Sequence, residues 1–290
     1  ATTLLEHADA ALYSAKQSGR NNVHRYSPAM KTKVGERIDI EAQLRRAVGN
    51  RELRLHYQPQ LDLATGAVVG VEALVRWQHP QWGLVMPGRF IGIAEESGLI
   101  EPIGRWVLET ACAQAVAWQQ QGLAPMRMAV NISPAQFGNP DLERQVQEAL
   151  RITGLPAHLL ELELTESLSM RNPDQTIRTL ERLGSLGVEF AIDDFGTGYS
   201  NLAYLRRLPV DRIKLDRSFI TDSGSDAIVE AVVAMAHKLG LEVVAEGVET
   251  LEQRDRLAAF GCDLLQGYWF SRPVEAAAVE ALLSRQAQAA

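Results

Sequence analysis

The chain has 290 residues, 46% of them hydrophobic, enough to bury one large core or two modest ones without disulfide staples. Its net charge of −7 excludes the basic footprint of a general polynucleotide binder. No apolar run approaches the ~20 residues that span a bilayer. The two cysteines, Cys112 and Cys262, stand far apart in apolar company and outside any metal or redox spacing. They are expected to be reduced, buried thiols of a cytoplasmic protein.

Residues 1–28 carry a helical stripe, Leu5, Ala8, Leu12 and Ala15, ended by Gly19 and followed by Ser27-Pro28. They show no signal-peptide pattern, and with Ala1 in first place a longer protein is expected. A helix of this length is marginal alone. Residues 53–60 and 67–77 read as strands joined through a Thr65-Gly66 turn, hence an antiparallel hairpin. A helix is predicted over 102–121.

From there one pattern repeats: a helix ended by glycine (Gly122, Gly154, Gly187, Gly240, Gly261), a short apolar run, then a polar cluster. The apolar runs 127–131, 159–164, 188–192, 212–215 and 241–245 suit strands of a buried parallel sheet, and 264–266 is a last one. Between them, Ile177, Leu180 and Leu183 recur at helical spacing within 174–186, as do Ile228, Val232, Met235 and Leu239. Eight strands with helical crossovers predict an α/β fold, a TIM-like (β/α)8 barrel whose first strand is antiparallel. A doubly wound open sheet is the alternative.

Nearly every predicted strand ends in a polar group. The second carries Glu72 and, four residues on and on the same face, Arg76. The later strands end in or near Asn131, Glu163 and Glu166, Asp193-Asp194, Lys214, Glu246 and Gln266. A lone carboxylate at a strand end is ordinarily solvated or caps a helix; seven ends behaving alike point to one barrel mouth. So many carboxylates cannot be buried together without compensation, and two hard cations would provide it. The six histidines (7, 24, 56, 79, 158 and 237) show no ligand spacing, so Mg2+ or Mn2+ is expected rather than zinc. Lys214 could instead form a Schiff base, as in aldolases, but acidic neighbours would keep it protonated.

The ordered series LHYQP (55–59), VEALVRW (71–77), VNIS (130–133), ELTES (163–167), DDFGTGYS (193–200), IKLD (213–216), AEGVE (245–249) and QGYWFSRP (266–273) resembles the EAL-domain phosphodiesterases over roughly residues 35–280. The resemblance implies hydrolysis of cyclic di-GMP to linear pGpG with two metal ions. Glu72, Asn131, Glu163 and Asp193 would hold one ion, and Asp193, Asp194 and Glu246 the other, with Asp193 bridging. Lys214 would contact the attacking water or the phosphate, and Gln266 would position that water. Gln58, Leu74 and Arg76 would hold the substrate, together with Asn131 and Asp194. Glu166 would anchor the loop 195–202, which the family links to dimerisation, so a homodimer is expected. One departure is Gly92, where the family often has Pro; no ligand is missing.

ADAALYSAKQSGRNNVHRY at 8–26 resembles the last helix and strand of a GGDEF diguanylate cyclase domain, without its signature motif. The expected division is therefore a GGDEF remnant at 1–28, a linker at 29–34 and the barrel at 35–290. Lys16 and Arg20 are read as solvated. Upstream GGDEF or sensory domains are expected, as is a cytoplasmic location for this domain with any membrane anchor upstream. A catalytically silent receptor for cyclic di-GMP, or an enzyme switched off until an upstream domain or dimer contact orders the loop 195–202, are the alternatives to a constitutive hydrolase.

Overall fold

The computed structural model of the chain describes residues 22–196 and 202–289, with scattered helical positions before residue 22. Two compact units emerge: Ala1–Leu53 with Trp77–Ile100, and Arg54–Arg76 with Glu101–Ala290. Among the described residues the strands are β1 (Leu53–Asp62), β2 (Val68–His79), β3 (Gly83–Val85), β4 (Arg127–Asn131), β5 (Leu160–Thr165), β6 (Glu189–Phe195), β7 (Arg212–Leu215), β8 (Glu242–Ala245) and β9 (Leu264–Leu265).

In the first unit, Leu5, Ala8, Leu12 and Ala15 are helical, with Leu5 and Leu12 exposed. Lys16, Gly19 and Arg20 lie outside the described residues. Helix α1 (Pro28–Ala47) begins where a linker was expected, so residues 29–34 are helical. Proline suits a first turn, because its φ is already helical and its missing N–H would have no partner there. The buried side of α1 carries Ile40, Leu44 and Ala47. Trp77, fully buried, donates from Nε1 to Glu52 at 2.9 Å and meets Phe90 edge-on. The end of β2 pairs antiparallel with β3, which is too short to show a period in the sequence. Helix α2 (Ile91–Ser97) holds Gly92 in its first turn, where an added Cβ would meet nothing.

The second unit holds the predicted barrel. The strands run β1-β9-β8-β7-β6-β5-β4-β2, and β1 also pairs with β2, which closes eight strands into a ring. Neighbours are parallel from β2 through β9, whereas β1 is antiparallel to β9, pairing Leu61 with Leu265. Helix α3 (Ile100–Gln120) follows the predicted 102–121 closely. Helix α4 (Leu142–Thr153) stops at Gly154, whose φ of 75° lets the chain turn out. All five glycines expected to end helices have positive φ. Helix α5 (Pro173–Gly184) buries Leu180 and Leu183 as the stripe predicted. Helix α6 (Asp226–Lys238) is rotated from its predicted stripe: Val229, Val233 and Ala236 are buried, and Ile228 is exposed. That helix is apolar nearly all round, so two stripes fit the same period and only packing chooses.

Pleating sorts the strand residues. On β5, Leu160, Leu162 and Leu164 alternate with the buried Glu161 and Glu163; on β7, Ile213 and Leu215 alternate with the buried Arg212 and Lys214. The charged members share one face and form two layers. Glu161 and Arg212 stand at the strand starts, Glu163 and Lys214 one pleat higher.

Candidate active site

The strand ends bring their carboxylates together through one irregularity. The β6–β7 register slips between Ile192 and Phe195, across Asp193-Asp194. Asp194 has φ 54°, a conformation uncommon outside glycine, and its N–H donates to Asp193 Oδ1 at 3.0 Å. Regular pleating would send consecutive side chains to opposite faces; a bulge re-aims one of them. Oxygens of Asp193, Asp194 and Glu246 consequently lie within 4.8 Å of one another. Next along the sheet, Asn131 and Glu163 are register partners, and Asn131 Nδ2 donates to Glu72 Oε1 at 2.5 Å.

Lys214 occupies the centre. Its Nζ lies 2.7 Å from Glu163, 2.7 Å from Glu246, 3.3 Å from Asp193 and 3.6 Å from Glu72. Burial works against its charge, but these four carboxylates outweigh burial and hold its pKa well above the lysine norm. A lysine so firmly protonated is a poor Schiff-base nucleophile. Glu163 is pushed well above the usual carboxylate range by burial and by Glu72. Burial pushes Glu246 up to about 8 and, with Asp193, raises Asp194. Glu72 is also buried, yet Lys214 and hydrogen bonds from Gln266 and Asn131 bring it below its ordinary value.

Opposite the acids stands an amide group. Gln266 Nε2 donates to Glu72 Oε2 at 2.5 Å and to Gln58 Oε1 at 3.1 Å. The loop of Glu246 and the loop of Gln266 cross at Gly267, where an added Cβ would fall 2.1 Å from Val248 O, so only glycine fits. Glu166 Oε2 accepts the Gly196 N–H at 2.8 Å, which ties the start of the loop 195–202; residues 197–201 lie outside the described residues.

These groups open on a cleft of about 310 Å3 lined by seven of the predicted residues: Gln58, Glu72, Leu74, Asp193, Lys214, Glu246 and Gln266. Glu163 lies beneath Lys214, and Asn131 and Asp194 stand beside their carboxylate partners. Arg76 is buried outside the lining, donates from Nη1 to Val75 O at 2.9 Å, and has its pKa lowered by burial. Arg217, Glu249 and Tyr268 also line the cleft and were missed in the sequence. Two of them sit inside the quoted motifs AEGVE and QGYWFSRP, but a charged or aromatic residue beyond a strand end gives no sign of turning back to the mouth.

The residues fit a pair of hard divalent cations. Every donor is oxygen, and among the described residues one ammonium faces four carboxylates (Glu72, Glu163, Asp193, Glu246) with a fifth, Asp194, beside two of them. Glu163 Oε1 is buried without a hydrogen-bond partner, which leaves an acceptor for a cation.

The model of the EAL domain matches residues 41–273. The chain is 49% identical over 284 residues to the cyclic di-GMP phosphodiesterase NbdA of Pseudomonas aeruginosa, covering 97% of this chain and 36% of that protein. It is 46% identical over 278 residues to the bifunctional diguanylate cyclase/cyclic di-GMP phosphodiesterase MucR of the same organism, covering 94% and 40%. The chain thus spans well under half the length of these relatives. Among solved structures it resembles the PaMucR phosphodiesterase in its c-di-GMP complex, with TM-score 0.81 and 46% identity over 83% of this chain and 99% of that one. Cleft, acidic ring and likeness agree: this chain belongs to the EAL domain family.

Proposed function

We propose that the chain hydrolyses cyclic di-GMP to linear pGpG with two Mg2+ or Mn2+ ions. The observation that carries this reading is the buried excess of carboxylates around a single ammonium at the mouth of the barrel. Relatives named as cyclic di-GMP phosphodiesterases supply the substrate. Glu72, Asn131, Glu163 and Asp193 would hold one ion, and Asp193, Asp194 and Glu246 the other. Ions held there supply charge neutralisation at the phosphoryl oxygens and a water of lowered pKa.

The rest falls to the chain's own residues. Lys214 keeps its proton and presents a positive charge to the scissile phosphate. Gln266 orients the attacking water through its amide. Arg76, whose Nε is buried without a partner behind the cleft lining, would pair with a phosphate oxygen once its side chain turns into the cleft, and Gln58 and Leu74 hold the nucleotide at the cleft wall. Residues 35–290 form the phosphodiesterase barrel on this reading and 1–28 the end of a preceding GGDEF domain. The loop 195–202 is the dimer contact, and the domain works in the cytoplasm. No helix among the described residues is long and apolar enough to cross a membrane.

The test is incubation of the purified protein with cyclic di-GMP, with and without Mg2+ or Mn2+, with pGpG followed by chromatography. Metal-dependent conversion that disappears in Glu72→Ala is the expected result. Binding without conversion under every metal condition would make the chain a receptor or a switched-off enzyme, and the absence of both would remove the substrate assignment.

A further inference from the structure

Gln60 is fully buried and does not line the cleft. Its Nε2 donates to Gln266 Oε1 at 3.1 Å. Gln266 in turn donates to Glu72 at 2.5 Å and to Gln58 at 3.1 Å, and Gln58 Nε2 donates to Ser271 O at 3.2 Å. Three amides thus form a chain that runs in one direction, from Gln60 through Gln266 to Gln58 and the Ser271 carbonyl, with a branch from Gln266 to Glu72 in the acidic ring. A glutamine amide has two orientations of nearly equal shape, with oxygen and nitrogen exchanged. If Gln266 reversed, its oxygen would face the Glu72 carboxylate and its NH2 would face the NH2 of Gln60. Glu72 enforces the observed orientation while Oε2 is free to accept, but a cation ligand shares its lone pairs. Gln60 has no such second duty.

A Cβ at Gly70 would fall 2.9 Å from Gln60 Oε1, so the missing side chain on β2 makes the space this amide fills; that oxygen is buried without a hydrogen-bond partner, and the bond from Nε2 to Gln266 is the one that orients the amide. We infer that Gln60 is a positioning residue, which acts through Gln266 by holding its N–H groups toward Glu72 and the attacking water. The inference rests on the phosphodiesterase reading above for its consequence, though not for its geometry.

The experiment compares wild type, Gln60→Met, Gln266→Ala and the double variant, all checked for folding by thermal melts. Gln60→Met is expected to lower kcat roughly 10-fold, the scale of a reacting group that loses its orientation. KM for cyclic di-GMP stays within about twofold, since ground-state binding is untouched. In the Gln266→Ala background Gln60→Met has no further effect, whereas a merely structural loss would carry over undiminished. The side-chain NH2 resonances of Gln266, assigned by their disappearance in Gln266→Ala, shift in Gln60→Met. Unchanged kcat, or an equal loss in both backgrounds, overturns the inference. If wild type fails to turn over cyclic di-GMP with either ion, the phosphodiesterase reading has failed and the Gln266 resonances decide alone: a shift supports positioning and unmoved signals overturn it. Gln60→Leu replaces Gln60→Met if the latter does not fold.

Discussion

The two ends of the barrel place similar charges on the same strands and balance them differently. At the strand starts Arg212 lies 2.6 Å from each of Glu161, Glu189 and Glu242, and Arg127 adds a contact of 3.5 Å to Glu161. Two guanidinium groups meet three carboxylates there, and Glu189 and Glu242 reach solvent. One pleat higher, Lys214 faces Glu72, Glu163, Asp193 and Glu246, with Asp194 alongside. A planar guanidinium aims several N–H groups at fixed partners, whereas an ammonium is a point charge that cannot satisfy four carboxylates at once. Buried charge alone therefore does not mark a site. The mouth set does, because its deficit calls for cations, while at the strand starts two guanidiniums and solvent together meet three carboxylates.

The largest expected effect is at Asp193, which the proposed function assigns to both ions. Asp193→Asn should lower kcat by more than about 10³-fold, since stabilising the charge that develops at phosphorus contributes most to lowering the barrier. A thermal melt should show the variant at least as stable as wild type without metal, because relief of repulsion among the carboxylates offsets the lost 3.3 Å contact with Lys214. Near-normal turnover would end the two-metal scheme. Next comes Arg212→Met, which leaves the buried Glu161 with Arg127 alone, 3.5 Å away, and should cost about 3 kcal/mol of stability. Added Mg2+ should raise its melting temperature no more than that of wild type. Lys214→Met should also be less stable without metal, but Mg2+ or Mn2+ should stabilise it more than wild type, because the ions replace the lost charge. Equal metal-induced shifts in the two variants would erase the distinction between the ends.

Much of this was legible in the sequence for a physical reason. In a parallel barrel the polar groups cluster at strand ends, where apolar runs stop, so Asn131, Asp193, Glu246 and Gln266 announce themselves, whereas Glu72 lies within β2 and is marked by the motif VEALVRW. Glycine marked the helix ends because the left-handed conformation is nearly its own. What stayed hidden lacked a period or lay mid-strand. β3 has only three residues. The base cluster reads as ordinary polar positions until Glu161 and Arg212 are seen to share an inner face. In α6 an almost uniformly apolar helix left the buried side undecided by one residue. Gln60 follows the motif LHYQP by one residue, and nothing in its neighbours reveals that it meets Gln266 at the end of the adjoining antiparallel strand.

The pH dependence of stability sharpens the comparison further. Burial pushes Glu246 up to about 8 in the folded protein against an ordinary 4.5. Between those values it is protonated when folded and ionised when unfolded, so the folded state binds more protons and stability falls as pH rises. Asp194 and Glu163 are shifted the same way, and Glu72 the opposite way. Arg212 is held charged more firmly than usual and contributes no slope there. Denaturant melts without metal should therefore lose stability from pH 5 to 8, and saturating Mg2+ should flatten the trend by favouring ionised ligands. A flat metal-free profile would mean the acidic ring is not strained.

The smallest effect is expected one step from the proposed ligands. Glu166 accepts the Gly196 N–H at 2.8 Å and so fixes the chain just beyond Asp193-Asp194. Glu166→Gln keeps an acceptor and the shape but removes the charge that strengthens the bond. Outer partners of metal ligands typically affect affinity by about 10–100-fold, and this conservative change should fall at the low end, near 10-fold for Mn2+ by calorimetry. The melting temperature without metal should hardly move, because the bond is weakened rather than lost. If Mn2+ affinity is unchanged while stability drops, Glu166 belongs with the base cluster as a structural contact, and the influence of the mouth ends at the ligands themselves.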